Sequence, residues 1–158
     1  MNTSFLSRAP FSLDAAAAAW VEATYRSLSP KERVAQLFNL LSRGTEPDEL
    51  ERLERLRPGG ITRYFGPDGE AERSRIAAAQ KAAAVPLLVS ADLEGSRMSL
   101  PFGTQVPNPL ALAAIDDLQV TAEISPIMTE DTTFDVVNWS FTPVMATNRS
   151  FTILYVVP

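Results

Sequence analysis

Charged side chains of both signs follow an apolar run near the middle of the chain. The run Leu87–Ala91 ends at Asp92, and Glu94, Gly95 and Arg97 come shortly after it. Carboxylates are strong acceptors, arginine presents a fork of donors, and glycine lets the backbone turn. That combination suits the hydroxyl groups of a sugar. The alternative is an Asp–Arg or Glu–Arg ion pair that pins a loop, since charge clusters in loops are often structural.

The composition excludes several kinds of active site. The chain has 158 residues, with no histidine and no cysteine. A Ser-His-Asp triad, a cysteine nucleophile, a thiolate metal site and a disulfide are therefore impossible within it. A metal would have to bind through oxygen ligands, and the sequence has no dense carboxylate loop of the calcium type. We predict no metal site.

The charge balance and hydropathy bear on partners and location. Lys and Arg total 14 and Asp and Glu total 19, which gives a net charge of -5 and no long-range attraction for nucleic acid or anionic lipid. No apolar run approaches the roughly 18 residues that span a bilayer. The first twenty residues do not have the pattern of a signal sequence. We expect no nucleic-acid or membrane partner and a cytoplasmic location, which the absence of cysteine also fits.

Strands alternate with helices in the part of the chain that must position the charged cluster. Short apolar or β-branched runs predict strands near 61–65, 87–91 and 136–144, and residues 70–85 are rich in good helix formers. This alternation favours a parallel sheet with helices packed outside it. Ligands of such folds bind at the carboxyl ends of the strands, where Asp92 is expected to lie.

Helices are expected before the first predicted strand. Ser29-Pro30-Lys31-Glu32 has the features of a capping box, with proline in the first turn. Apolar residues then recur at the helical spacing i, i+3, i+4 and i+7, at Val34, Leu37, Phe38 and Leu41. The spacing predicts one helix that continues to Gly44. Residues 1–13 show no period and are predicted to be a loose arm. Further helices are predicted over 47–56, 109–115 and 117–131, with a last strand over 151–157.

Four segments resemble glycoside hydrolase family 3, in the order in which that family has them. They are the opening helix over 28–38, the strand start Gly59-Gly60-Ile61, the segment 87–97 with Asp-Leu-Glu-Gly-Ser-Arg, and Asn-Trp-Ser-Phe-Thr-Pro-Val within 137–144. The last two are the specific ones. The form Asp-x-Glu-Gly-x-Arg is similar to the β-N-acetylglucosaminidase branch of the family rather than to its β-glucosidase branch.

The resemblance implies a fold and a set of site residues. The fold is α/β, the N-terminal portion of a (β/α) TIM-type barrel with leading helices, as a partial domain over 14–158. Asp92 matches the family's aspartate that binds hydroxyls of the sugar next to the scissile bond, with Glu94, Gly95 and Arg97 supporting its loop. Arg149, in Asn-Arg-Ser-Phe, is similar to an arginine that contacts the same sugar. The alternative for Arg149 is an ordinary surface arginine.

The resemblance also implies an activity, which is retaining hydrolysis of terminal N-acetylhexosamine glycosides without a metal or organic cofactor. The family's Lys-His-x-Pro-Gly-His motif, its histidine–aspartate acid/base pair and its aspartate nucleophile have no counterpart in these 158 residues. We therefore predict no catalytic residue in this chain and no activity from it alone, although its family would be a glycosidase family acting on amino-sugar glycosides. The alternative is a non-catalytic remnant that binds sugar or another protein. Exposed strand edges of a partial barrel would also favour self-association.

Overall fold

A sheet lies at the centre of the computed structural model, which describes residues 4–42, 47–132, 137–140 and 155–156. Its strands are β1 Asn39–Ser42, β2 Gly60–Arg63, β3 Leu88–Ala91, β4 Trp139–Ser140 and β5 Tyr155–Val156. The strands lie side by side in chain order. β1 to β4 pair in parallel, and β5 pairs with β4 in the antiparallel direction. The predicted α/β class with parallel strands is therefore confirmed.

Helices precede the sheet and fill its connections. They are α1 Ala15–Ser27, α2 Pro30–Ala35, α3 Pro47–Leu56, α4 Gly69–Ala82, α5 Pro109–Ile115 and α6 Leu118–Thr132. α3 connects β1 to β2 and α4 connects β2 to β3, which is how parallel neighbours are joined. The predicted capping box is present, since Ser29 Oγ accepts from the Glu32 amide and Glu32 accepts from the Ser29 amide. No helix in the described ranges is long and apolar enough to cross a membrane.

The predicted helix through Gly44 is wrong, because α2 ends at Ala35 and β1 begins at Asn39. The Phe38 carbonyl accepts from the amides of Gly59 and Gly60, so the sheet supplies the backbone hydrogen bonds that a helix would have made within itself. The four apolar residues of the predicted helical face are all exposed: Val34, Leu37, Phe38 and Leu41. Pairing in the sheet thus overrides a helical pattern of four residues.

The core lies between the sheet and the helices α3 and α4. It joins the apolar residues Leu53, Ile61, Ile76, Ala79, Leu87, Val89, Ala91, Leu93, Leu100 and Val137. Ile61 and Val89 are each 1% exposed, and their neighbours Thr62 and Ser90 project to the opposite face of the sheet, because strand side chains alternate. There the two hydroxyls lie 2.8 Å apart, and Asn39 Nδ2 donates to Ser90 Oγ at 2.8 Å. The sheet therefore has one apolar face under helices and one polar face.

The segment before α1 has local order in its described part, residues 4–13. Leu6 is buried, its carbonyl accepts from the Leu13 amide at 2.8 Å, and the rings of Phe5 and Phe11 meet edge to face. Asp14 then caps α1 by accepting from the Ala17 amide. This segment is thus built from turns that lead into the first helix.

Candidate active site

A cleft of about 100 Å³ lies at the carboxyl ends of β2 and β3. Tyr64 and Asp92, which follow these two strands, line it together with Arg97 from the next loop. Asp92 directly follows the last residue of β3, and its side chain is exposed. The structure thus places the predicted sugar-binding aspartate where ligands of parallel α/β folds bind.

Asp92 and Arg97 are both exposed and both line the cleft. Within the described ranges, neither side chain makes an ion pair or a hydrogen bond. The structure therefore does not show an ion pair between Asp92 and Arg97 that would pin the loop. A carboxylate and a guanidinium exposed at one cleft present acceptors and donors to a ligand.

The loop that carries Arg97 turns at Gly95. Its φ of 82° lies in the left-handed region, and a Cβ at this position would stand 2.3 Å from the Pro107 carbonyl oxygen. The Met98 amide donates to the Gly95 carbonyl at 2.9 Å, and the Glu94 amide donates to the Met98 carbonyl at 3.2 Å. Gly95 thus lies within a tight turn shortly after Asp92, and the partly buried Glu94 lies at the start of that turn.

An ion pair that the sequence analysis did not identify lies behind the cleft. Arg63, 5% exposed, donates through Nε to Glu72 Oε2 at 2.5 Å and through Nη2 to Oε1 at 3.1 Å. Its Nη1 donates to Ser42 Oγ at 3.1 Å, and the Gly66 amide donates to Glu72 Oε1 at 3.2 Å. The pair therefore joins the ends of β1 and β2, the first turns of α4 and the loop that lines the cleft.

The Glu72 carboxyl is fully buried beside two arginines. Burial is the largest influence and opposes ionisation, but hydrogen bonds from Arg63 and Gly66 and the charges of Arg63 and Arg75 outweigh it, so the pKa of Glu72 is lowered. Arg75 Nη1 supports the same oxygen, at 2.8 Å from Oε1. Arg63, Arg75 and the Gly66 amide together hold the Glu72 carboxylate in place.

Asn138, from the Asn-Trp-Ser-Phe-Thr-Pro-Val segment, binds the backbone of β3 just before β4. Its Oδ1 accepts from the Val89 amide at 2.7 Å, and its Nδ2 donates to the Leu87 carbonyl at 3.1 Å. The Asn138 amide donates to the Val89 carbonyl at 3.0 Å. This residue therefore extends the pairing of β3 and β4. Arg149, the other predicted sugar contact, lies outside the described residues.

The described part of the chain contains no group of three or more acidic side chains that could hold a metal ion. The chemistry available at the cleft is hydrogen bonding by the exposed carboxylate and guanidinium, together with contact to the Tyr64 ring. These groups can bind and orient a polar ligand.

Comparisons with known proteins identify a family and relatives to which this chain is similar. The family model described as Glycosyl hydrolase family 3 N terminal domain matches residues 31–152. A protein of Cellulomonas fimi named beta-N-acetylglucosaminidase/beta-glucosidase is 32% identical over 148 residues, which cover 92% of this chain and 26% of that protein.

Two solved structures of a beta-glucoside phosphorylase match the fold. The one bound to 2FGlc has a TM-score of 0.77 and 28% identity, and the other has a TM-score of 0.74 and 27% identity. Each match covers 90% of this chain and about a quarter of the phosphorylase. The chain thus spans about a quarter of the length of its relatives, and its alternating strands and helices correspond to the N-terminal part of their barrel. The motifs, the fold and the family model that matches most of the chain show together that the chain belongs to glycoside hydrolase family 3, within the N-terminal domain.

Proposed function

We propose that this chain forms the sugar-contacting part of a glycosidase that acts on terminal N-acetylhexosamine glycosides. The observation that carries the proposal is the exposed Asp92 in the cleft after β3, in the Asp-Leu-Glu-Gly-Ser-Arg segment of a family 3 chain. Its carboxylate would accept hydrogen bonds from sugar hydroxyls, while the turn at Gly95 holds Arg97 at the same cleft. The amino sugar is supported by the form of that segment, while the Cellulomonas fimi relative is named for both N-acetylglucosaminidase and glucosidase activity.

The proposed role of Asp92 is binding rather than bond cleavage. Cleavage with retention needs two carboxyl groups about 5 Å apart, one attacking the anomeric carbon and one protonating the leaving oxygen. Asp92 lines the cleft, whereas Glu94 is partly buried and is not among the lining residues, so this loop brings one carboxylate to the sugar. In this proposal the nucleophile and the acid/base group come from outside these 158 residues.

A second candidate activity is phosphorolysis, in which phosphate rather than water takes up the glycosyl group. Both structural matches are titled beta-glucoside phosphorylase, with identities of 28% and 27%. Arg97 gives this candidate a specific group, because an exposed guanidinium at the cleft can bind a phosphate through two parallel hydrogen bonds.

Titration of the 158-residue chain with N-acetylglucosamine tests the proposal, with backbone amide shifts by NMR as the readout. We expect shifts at residues 92–98 that are lost in Asp92→Asn and kept in Asp48→Asn, an exposed aspartate on α3. Shifts that persist in Asp92→Asn would refute the role of this carboxylate.

Two further titrations address the alternatives. Glucose tests whether the N-acetyl group is recognised, since equal binding of glucose would remove the amino-sugar preference. Inorganic phosphate, with Arg97→Gln as the comparison, tests phosphorolysis: binding that depends on Arg97 favours the phosphorylase candidate, and its absence favours hydrolysis.

A further inference from the structure

We infer that Tyr64 is the surface on which the sugar ring stacks while Asp92 holds its hydroxyls. This inference rests on the proposed function and adds a residue that determines how the sugar is oriented. It follows from the register of two strands, from the exposure of Tyr64 and from the contacts that hold the residues on either side of it.

The strand register brings Tyr64 and Asp92 together. Thr62 of β2 is the partner of Ser90 of β3, and their hydroxyls lie 2.8 Å apart on the polar face of the sheet. Tyr64 and Asp92 each lie two residues further along, just beyond the ends of the two strands, and both are exposed. Neighbouring strands are about 4.8 Å apart. The aromatic ring and the carboxylate therefore both line the cleft at the ends of these two strands.

Tyr64 is 57% exposed although the residues around it are held in place. On one side, Arg63 is buried in its ion pair with Glu72. On the other side, the Phe65 ring packs edge to face against Phe102, with centroids 6.1 Å apart, and the Gly66 amide donates to Glu72. These contacts fix the backbone of Tyr64, so the ring is presented to the cleft by a rigid segment.

The chemistry of a pyranose matches this pair of side chains. The ring of the sugar has an apolar face of C–H groups and a rim of hydroxyls. The face of an aromatic ring carries partial negative charge, so it attracts the partially positive hydrogens of C–H groups. A carboxylate beside it accepts from the hydroxyls at the rim. Together the two side chains fix the tilt of the sugar as well as its position, which a carboxylate by itself does not.

The test compares tyrosine variants in the titration of the 158-residue chain with N-acetylglucosamine. We expect Tyr64→Ala to raise the Kd about tenfold, which corresponds to about 1.4 kcal/mol, and Tyr64→Phe to stay within about twofold of wild type. Tyr25→Ala is the matched control, because Tyr25 is 39% exposed on α1 and its ring lies under Arg33 rather than at the cleft. Its Kd should equal that of wild type. Circular dichroism confirms that each variant is folded.

Each outcome decides between the inference and the function on which it rests. Wild-type affinity in Tyr64→Ala, together with lost binding in Asp92→Asn, would overturn the stacking role and leave the proposed function standing. An equal loss in Tyr64→Phe and Tyr64→Ala would show that the hydroxyl makes the contact and would also overturn stacking. No binding by the wild-type chain would refute the proposed function, and the inference would fall with it.

Discussion

The guanidinium of Arg63 and the carboxylate of Glu72 form a fully desolvated ion pair on the face of β2 that packs against the helices. The side chains of the pair are 3% and 0% exposed. A buried pair is costly to desolvate and is strongly destabilising to break, because the remaining charge has no solvent. Breaking this pair should therefore destabilise both the wall of the cleft and the sheet.

Glu72→Gln is expected to destabilise the chain by about 3–5 kcal/mol, since it leaves the buried Arg63 guanidinium without a counter-charge. The free energy of unfolding from urea denaturation measures the effect. Glu70→Gln is the control, because the Glu70 side chain is 78% exposed in its pair with Arg73, and should cost less than about 1 kcal/mol. Equal costs for the two variants would show that Glu72 is not a buried charge in solution.

Stability is expected to fall in acid with a contribution from Glu72. Its pKa in the folded chain is below its ordinary value of 4.5, so the folded state binds this proton less readily than the unfolded state. The stabilisation is complete above pH 4.5 and is lost as the pH falls through the lowered pKa. Urea denaturation across the acid range should give a flatter profile for Glu72→Gln than for wild type.

Glu32 provides a comparison for that profile. Hydrogen bonds from Ser29 also lower the pKa of Glu32, but this side chain is partly exposed in its capping box and near Arg57. Glu32→Gln should therefore remove less of the acid dependence than Glu72→Gln. The reverse order would contradict the assignment of the main effect to the buried carboxylate.

Asn138→Ala is expected to destabilise the chain by about 1–3 kcal/mol, because it removes two hydrogen bonds to β3 at Val89 and Leu87. Asn138→Asp keeps the acceptor for the Val89 amide but loses the donor for the Leu87 carbonyl, so it should also destabilise. Gln119→Ala, which removes an exposed hydrogen bond to Glu123, should be nearly neutral. Urea denaturation measures the stability of all three variants. Wild-type stability in both Asn138 variants would contradict the role of this side chain in extending the pairing of β3 and β4.

The 158-residue chain should hydrolyse an aryl N-acetylglucosaminide no faster than a buffer blank. Each missing catalytic group costs several orders of magnitude, and sugar binding does not replace it. Release of the chromophore is the measurement. Turnover that disappears in Asp92→Asn or Glu94→Gln would mean that these carboxylates act on the bond itself, contrary to the binding role proposed above.

Arg52 is expected to limit self-association through β1, which lies at one end of the described sheet. The Phe38 carbonyl faces β2, so alternation directs the Leu41 carbonyl to the outer edge, where Arg52 Nη1 donates to it at 3.3 Å. Arg52→Ala uncovers that acceptor and should increase the mass observed by light scattering. Arg55→Ala, on the exposed side of the same helix, is the control. A monomer at all concentrations for both variants would exclude association through this edge.

The alternation of strands and helices can be predicted because it depends on local residue types. Short apolar runs near 61–65 and 87–91 predict β2 and β3, and the good helix formers of 70–85 predict α4. β1 was missed because four apolar residues at helical spacing resemble the face of a helix. β1 is a strand because it pairs with β2, which lies beyond α3 in the chain.

The site was predictable to the extent that its residues are adjacent in sequence. Asp92, Gly95 and Arg97 stand together, so their common loop was expected. Arg63 and Glu72 look like ordinary charges of a strand and a helix, and only packing buries them. Tyr64 and Asp92 line the same cleft because β2 and β3 pair with each other, and composition does not specify that pairing.

The distance in sequence between Asn138 and its partners has a consequence for how the molecule is made. β1, β2 and β3 pair between near neighbours in the chain, whereas Val89 obtains its side-chain partner 49 residues later. Domains assemble from the N-terminus during synthesis at about 5–20 residues per second. We therefore expect the Val89 amide to keep exchanging with solvent for seconds after β3 has joined the sheet. Pulsed hydrogen exchange on ribosome-bound chains would record that interval, which ends when Asn138 leaves the exit tunnel and accepts a hydrogen bond from the Val89 amide.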